Sequence, residues 1–316
     1  MARILYAGTP DVAVAPLAQL IADGHEIVAV LTRTDAPIGR KRVMTPSPVA
    51  AYAEEHGLPI IKADKITDEA HDAIAALNVD VAAVVAYGAM IPRRTLDLPE
   101  HGWVNLHFSL LPDLRGAAPV QHALIRCHDI TGATAFVLDE GMDTGPVLGV
   151  MTEAVQPSDT AGDLLERLST EGAVLLSQAI TGYVSGAVVP QPQKGEPTLA
   201  PKLERNDGRV DWSTSAEAVR GRIAGTTPEP GAFTHFNGAS IKLERVLITT
   251  PDELEDHEKN LAPGQLSFRS RKPARVVVGT GSSPVELTRV QPAGKKMMAA
   301  ADWARGALSD GEGRLE

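Results

Sequence analysis

Two side chains able to act on a carbonyl group, Asn105 and His107, stand two positions apart in the stretch VNLHFSLLPDLRGAAP, residues 104–119. On a β-strand, residues i and i+2 project to one face. The amide and the imidazole therefore point together, while Val104, Leu106 and Phe108 point to the other side. Pro112 terminates the run and leaves the pair near the strand's C-terminal end, outside which ligands bind in open α/β sheets. A carboxamide N–H can hold a developing oxyanion, and imidazole carries protons near neutral pH. Two polar residues satisfied by backbone hydrogen bonds would leave the same pattern, so the pair alone does not decide.

The turn LDEGMDTGPVL, residues 138–148, supplies carboxylates. Asp139 and Glu140 read as solvated turn residues. Asp143, between Met142 and Thr144-Gly145, reads as partly enclosed. The tripeptide DTG also occurs in aspartic proteases, but that chemistry needs two carboxylates sharing a proton, and the chain has a single such motif. The first turn, YAGTPD, has one glycine where a dinucleotide site needs G-x-G-x-x-G, and no Walker A motif is present. The nine histidines show no metal-ligand spacing, and Cys127 is the only cysteine. Neither a disulfide nor a multi-thiolate zinc site can form within the chain, and no metal is expected.

These groups need a scaffold. Apolar strand-like runs (RILYAG, EIVAVLT, LPIIKA, VDVAAVVAYG, GWVNLHFS) alternate with helical patterns through the first half, which predicts an α/β domain with a largely parallel sheet. GATAFVL and GPVLGVMTEAV then read as two strands joined by DEGMDT, followed by a long amphipathic helix capped by Asp159 or Thr160. Residues 189–208, rich in proline and polar side chains, read as a linker. Beyond it, one helix and several short strands with frequent turn residues predict a small barrel. The expected division is therefore a first domain at 1–188, the linker, and a barrel at 209–316.

The segment TDAPIGRKRVMTPSP, residues 34–48, is long for an α/β connection. Arg40, Lys41 and Arg42 at its centre stand out, because residues 1–190 carry only 12 Lys/Arg against 23 Asp/Glu. They read either as a solvated surface or as phosphate contacts. Arg269, Arg271, Lys272 and Arg275 form a second basic cluster, and Lys295-Lys296 a third, in a stretch (191–300) with 16 basic and 13 acidic residues. The overall net charge of -10 argues against a broadly polyanion-binding surface. The N-terminus lacks the apolar h-region of a signal peptide, and no window approaches 18 uncharged apolar residues. A cytoplasmic protein with no membrane span is expected.

Taken together, YAGTPDVA, APIGRKRVMTPSPV, VVAYGAMIP, VNLHFSLLPDLRGAAPVQ, LDEGMDTG, RVDWSTSA and QPAGKKMM resemble, in order and over nearly the full chain, the methionyl-tRNA formyltransferase family. The central segment is similar to folate-dependent formyltransferases in general; the 34–48 segment and the C-terminal motifs select the tRNA-modifying branch. The resemblance implies a Rossmann-like domain followed by an OB-like barrel, and formyl transfer from 10-formyltetrahydrofolate to methionyl initiator tRNA. It assigns catalysis to Asn105, His107 and Asp143. It also assigns folate contacts to Ser109, Leu110, Leu111 and Pro112 and to Ala86, Tyr87 and Gly88, and tRNA contacts to Arg40, Lys41 and Arg42. A monomer is expected. Two departures from the family's usual pattern are Phe108, where glycine is common, and Glu229, where tryptophan is common. A formyl-folate enzyme acting on a small amine or on water is the alternative, which the C-terminal domain disfavours.

Overall fold

A computed structural model describes all residues except Arg40, Lys272 and 309–311, and all side chains of those except Glu312. Two compact units emerge. The first comprises Met1–Gly116, Thr131–Glu153 and Leu165–Leu199; the second comprises Ala117–Ile130, Ala154–Leu164 and Ala200–Glu316.

The strands of the first half are β1 (Arg3–Gly8), β2 (Glu26–Thr32), β3 (Ala36–Ile38), β4 (Val43–Thr45), β5 (Ile60–Lys62), β6 (Val81–Val85), β7 (Trp103–His107), β8 (Ile130–Val137) and β9 (Val147–Ala154). The main sheet has the order β5-β2-β1-β6-β7-β8-β9. Its pairs are parallel from β5 through β7, and β8 turns antiparallel to β7. The chain starts at β1, winds outward to β5, and then returns to β6 on the other side of β1. The order of connection therefore reverses between β1 and β6, which opens a crevice beyond their carboxyl ends. Every residue of β6 is buried, as expected for an apolar run covered on both faces. Thr9, just after β1, donates its hydroxyl to the Tyr87 carbonyl after β6 at 2.8 Å and ties the two crevice loops together.

The helices are α1 (Val14–Ala22), α2 (Pro48–Glu55), α3 (Asp68–Ala75), α4 (Arg93–Leu96), α5 (Pro119–Ile125), α6 (Ala161–Val184), α7 (Ala216–Gly225) and α8 (Ala300–Ala307). Ser47 and Thr67 cap α2 and α3 by accepting from Ala50 N and Ala70 N. For α6, the Thr160 hydroxyl accepts from Asp163 N at 3.3 Å.

The observed division differs from the sequence reading in three places. Residues 154–164, expected in the first domain, belong to the second unit. So do residues 117–130, because α5 packs on α7. Gly221 and Gly225 permit that contact: a Cβ on Gly221 would stand 2.6 Å from the Leu124 carbonyl oxygen, and one on Gly225 2.5 Å from that of Gln121. Residues 191–199, inside the stretch expected to be a linker, are bonded into the first unit. Val147 and Gln191 exchange backbone hydrogen bonds of 2.7 and 2.8 Å, and Arg115 N donates to the Thr198 carbonyl at 2.9 Å. Gln191 thereby satisfies the backbone groups of Val147 at the edge of β9.

In the second unit, β10 (Ala232–Phe236), β11 (Ala239–Ile248), β12 (Gln265–Arg269), β13 (Arg275–Val278), β14 (Val285–Pro292), β15 (Met298–Ala299) and β16 (Glu312–Arg314) form one antiparallel sheet. Its order is β10-β11-β14-β13-β12-β16, with β15 beside β14. The chain end closes it: Glu316 N donates to the His235 carbonyl at 2.9 Å, and His235 N to the Glu316 carbonyl at 3.2 Å. The sheet is thus a barrel, with Trp212, Leu266, Val276, Val290 and Trp303 in its core. The Trp212 indole N–H is satisfied by Thr234 Oγ1 at 3.0 Å.

Two members of the second basic cluster, Arg269 on β12 and Arg275 on β13, are committed within the fold, and Lys272 lies outside the described residues. Arg275 binds Glu286 at 2.7 Å, and the Arg269 Nε lies 3.1 Å from the fully buried Glu258 carboxylate. These two cations therefore serve the barrel's own acid groups. Of the two departures, Phe108 is buried at 6% exposure, on the packing face, and Glu229 is exposed. Among the described residues, no helix is long and apolar enough to cross a membrane.

Candidate active site

Strand β7 is two-faced, as its period predicts. Val104, Leu106 and Phe108 are buried, and Asn105 and His107 project from the opposite face. The His107 Nε2 lies 2.9 Å from the Leu114 carbonyl oxygen. A carbonyl only accepts, so this contact assigns the neutral ring's proton to Nε2 and leaves a lone pair on Nδ1. Nδ1 faces the Asp143 carboxylate, with Oδ2 at 3.7 Å. Burial pushes the imidazole below its ordinary value; the Asp143 charge and the Leu114 carbonyl pull it partly back. The resting ring is therefore neutral near pH 7, and its open nitrogen stands beside a group that favours the cation.

Asp143 arrives from the β8–β9 turn. Its backbone is left-handed, with φ 52°, and its Oδ2 accepts from Gly116 N at 2.7 Å. Two residues on, Gly145 passes so close to β8 that a Cβ would lie 1.8 Å from the Val137 carbonyl oxygen, so only glycine fits this point of the DTG motif. Asp139 binds Gly141 N and the Thr144 hydroxyl, as a turn residue would. Gln193 also reaches this turn: its Nε2 donates to the carbonyls of Asp143 (2.8 Å) and Gly145 (2.9 Å), and its Oε1 accepts from Arg115. Nothing in the composition of residues 189–208 marked Gln193 out. The Asn105 amide, half-buried, has no protein hydrogen-bond partner among the described residues, so its donors are available to a ligand.

The segments expected to hold folate divide into surface and support. Ala86 and Gly88 are exposed at the carboxyl end of β6, both with positive φ, of 49° and 84°. Tyr87 between them is 1% exposed, and its hydroxyl donates to the Ala63 carbonyl at 2.6 Å. Burial raises its pKa to about 12, so Tyr87 offers a ligand backbone only. Ser109 is likewise fully buried: its hydroxyl donates to the Asp113 carbonyl at 2.6 Å, and its own carbonyl accepts from Thr134 at 2.7 Å. It shapes the turn rather than presenting a hydroxyl. Leu110 and Leu111 are half-buried and Pro112 is buried.

The 34–48 segment is more ordered than a plain loop. Strands β3 and β4 pair as an antiparallel ribbon with Ile38 opposite Val43. Lys41 and Arg42 are exposed at its tip, and Ile38, Val43 and Met44 are each more than half exposed. Arg40 lies outside the described residues. No three His, Cys, Asp or Glu side chains gather closely enough to hold a metal among the described residues.

A family model for formyl transferase matches residues 2–180, and one for the formyl transferase C-terminal domain matches residues 202–308. The methionyl-tRNA formyltransferase of Arthrobacter sp. (strain FB24) is 56% identical over 307 residues, 97% of each chain. The chain belongs to the methionyl-tRNA formyltransferase family. Solved structures of lower identity share the fold. A methionyl-tRNA formyltransferase from Clostridium thermocellum superposes with TM-score 0.56 at 18% identity, over 79% of this chain and 94% of its own. An N-formyltransferase from Helicobacter canadensis, in complex with folinic acid and dTDP-3-aminofucose, gives TM-score 0.67 at 16% identity, over 92% and 100%.

Proposed function

We propose that the protein transfers a formyl group from 10-formyltetrahydrofolate to the amino group of methionyl initiator tRNA. The observation that carries this reading is the meeting of Asp143 with His107 beside a free Asn105 amide, in a member of this family. The amine nitrogen attacks the formyl carbon, a C–N bond forms, and the bond from that carbon to the folate nitrogen breaks. The Asn105 amide donates to the oxyanion of the tetrahedral intermediate. His107 Nδ1 takes the proton that the amine loses and returns it to the departing folate nitrogen. While the ring is charged, Asp143 stabilises it. Ala86, Gly88, Leu110 and Leu111 edge the folate.

The β3–β4 ribbon meets the tRNA acceptor end, its exposed apolar side chains against unpaired bases and Lys41, Arg42 and Arg40 against phosphates. The barrel unit has exposed cations of its own for phosphates, Arg209, Lys242, Lys295 and Lys296. Arg209 bridges to Phe233, and Phe233 pairs with Lys242. The protein acts as a monomer in the cytoplasm.

Incubating it with 10-formyltetrahydrofolate and charged initiator tRNA should yield formyl-methionyl-tRNA. Faster transfer to free amines, or release of formate, would reassign the reaction. Replacing Lys41 and Arg42 with alanine should weaken tRNA binding and flatten its salt dependence, by about 0.9 or less in log–log slope per lost phosphate contact. An unaltered slope removes the ribbon from the phosphate surface.

A further inference from the structure

We infer that Gln193 is a positioning residue for the formyl transfer, one that sets the Asp143 carboxylate against His107. The inference rests on the reaction proposed above.

Asp143 occupies a left-handed backbone conformation that residues with a Cβ avoid, so the turn needs an outside hold to keep its carboxylate in place. Two groups provide it. Gly116 N grips the carboxylate itself at 2.7 Å, and Gln193 grips the backbone on both sides of Thr144. The carboxamide of Gln193 is fully used. Both N–H groups go to carbonyl oxygens, and its oxygen accepts from Arg115 Nε at 3.2 Å and from a second guanidinium nitrogen at 2.6 Å. These partners fix which end of the amide is which: a carbonyl cannot donate and a guanidinium cannot accept. Gln193 is anchored in turn. Gln191 is paired with Val147 on the edge of β9, and Thr198 accepts from Arg115 N and Leu114 N. Leu114 is the residue whose carbonyl orients His107. One strap, 191–199, thus holds the turn bearing the carboxylate and the turn that orients the imidazole. Gln193 is the side chain that joins the strap to the carboxylate's turn.

Gln193→Ala in the full-length protein should lower kcat by about 10- to 100-fold, the range expected when a reacting group is misplaced by about 1 Å. KM for formyl-folate and for charged tRNA should stay within about twofold. Gln193→Glu retains size and the Arg115 partner but sets an acceptor against two carbonyls, so it should fall at least as far. It also keeps the question measurable should the alanine variant unfold. The deciding comparison uses Asp143→Asn. If Gln193 acts through Asp143, adding Gln193→Ala to that background changes kcat by less than about twofold, because groups acting as a unit are not additive. Full additivity, or a wild-type kcat in either Gln193 variant while Asp143→Asn is crippled, overturns the positioning role. Near-normal turnover by Asp143→Asn alone overturns the reaction reading as well, and so separates the two failures.

Discussion

Substituting His107 by asparagine is expected to lower kcat by about 10² to 10⁴, the span for losing a positioned general base. The loss should persist at saturating concentrations of both substrates, since the imidazole is aimed at a proton and not at a binding surface. Its Nε2 is occupied by the Leu114 carbonyl, and Nδ1, which carries the lone pair, faces the Asp143 carboxylate. The same geometry predicts a pH dependence. Burial lowers the His107 pKa, so the neutral, proton-accepting ring survives below the ordinary histidine value near 6.5. The acid limb of kcat that belongs to His107 should therefore lie below that value, with activity falling as pH drops through it. Asp143 raises the His107 pKa, so Asp143→Asn should move the limb lower still while reducing the maximum rate. The substrate amine titrates too, but equally in both enzymes, so the difference between their profiles isolates His107. A limb that stays in place when Asp143 is neutralised would show that the two groups are not electrically linked.

Asn105→Ala should cost about 10² to 10³ in kcat, the usual loss for one oxyanion donor. The physical reason is its free amide. Every other polar side chain on the same turn-and-strand surface is committed: His107 to Leu114, Ser109 to Asp113, Thr134 to Ser109. Asn105→Asp should be worse than alanine, because it replaces a donor with a negative acceptor facing the developing oxyanion. Single-turnover formylation under saturating conditions measures the chemical step directly. A near-normal rate for the alanine variant would take Asn105 out of that step.

Much of the scaffold was readable along the chain, because strands with both faces covered are apolar throughout and two-faced strands alternate. The runs at 3–8, 26–32 and 81–85 announced a parallel sheet on the first ground. The alternation at 103–107 put Asn105 and His107 on one side on the second. What misled were properties that depend on distant neighbours. Residues 189–208 look like a linker by composition, yet 191–199 are fixed by bonds to Val147 of β9, to the turn bearing Asp143 and to the Leu114–Arg115 turn. The β-like ribbon at 36–45 was hidden by its glycine and its cations. Tyr87 and Ser109 lie in motif segments, but their hydroxyls are used up inside the fold.

The sequence by itself determined the kinds of groups present, the strand face shared by the amide and the imidazole, the barrel-forming second half, and a family resemblance that the comparisons bear out. Tertiary structure alone decided how closely Asp143 approaches His107, which imidazole nitrogen carries the lone pair, and that Gln193 joins the site. Local patterns reflect the backbone's short periods. A hydrogen bond between turns far apart in the chain depends on how the strands between them stack, and no local pattern encodes that.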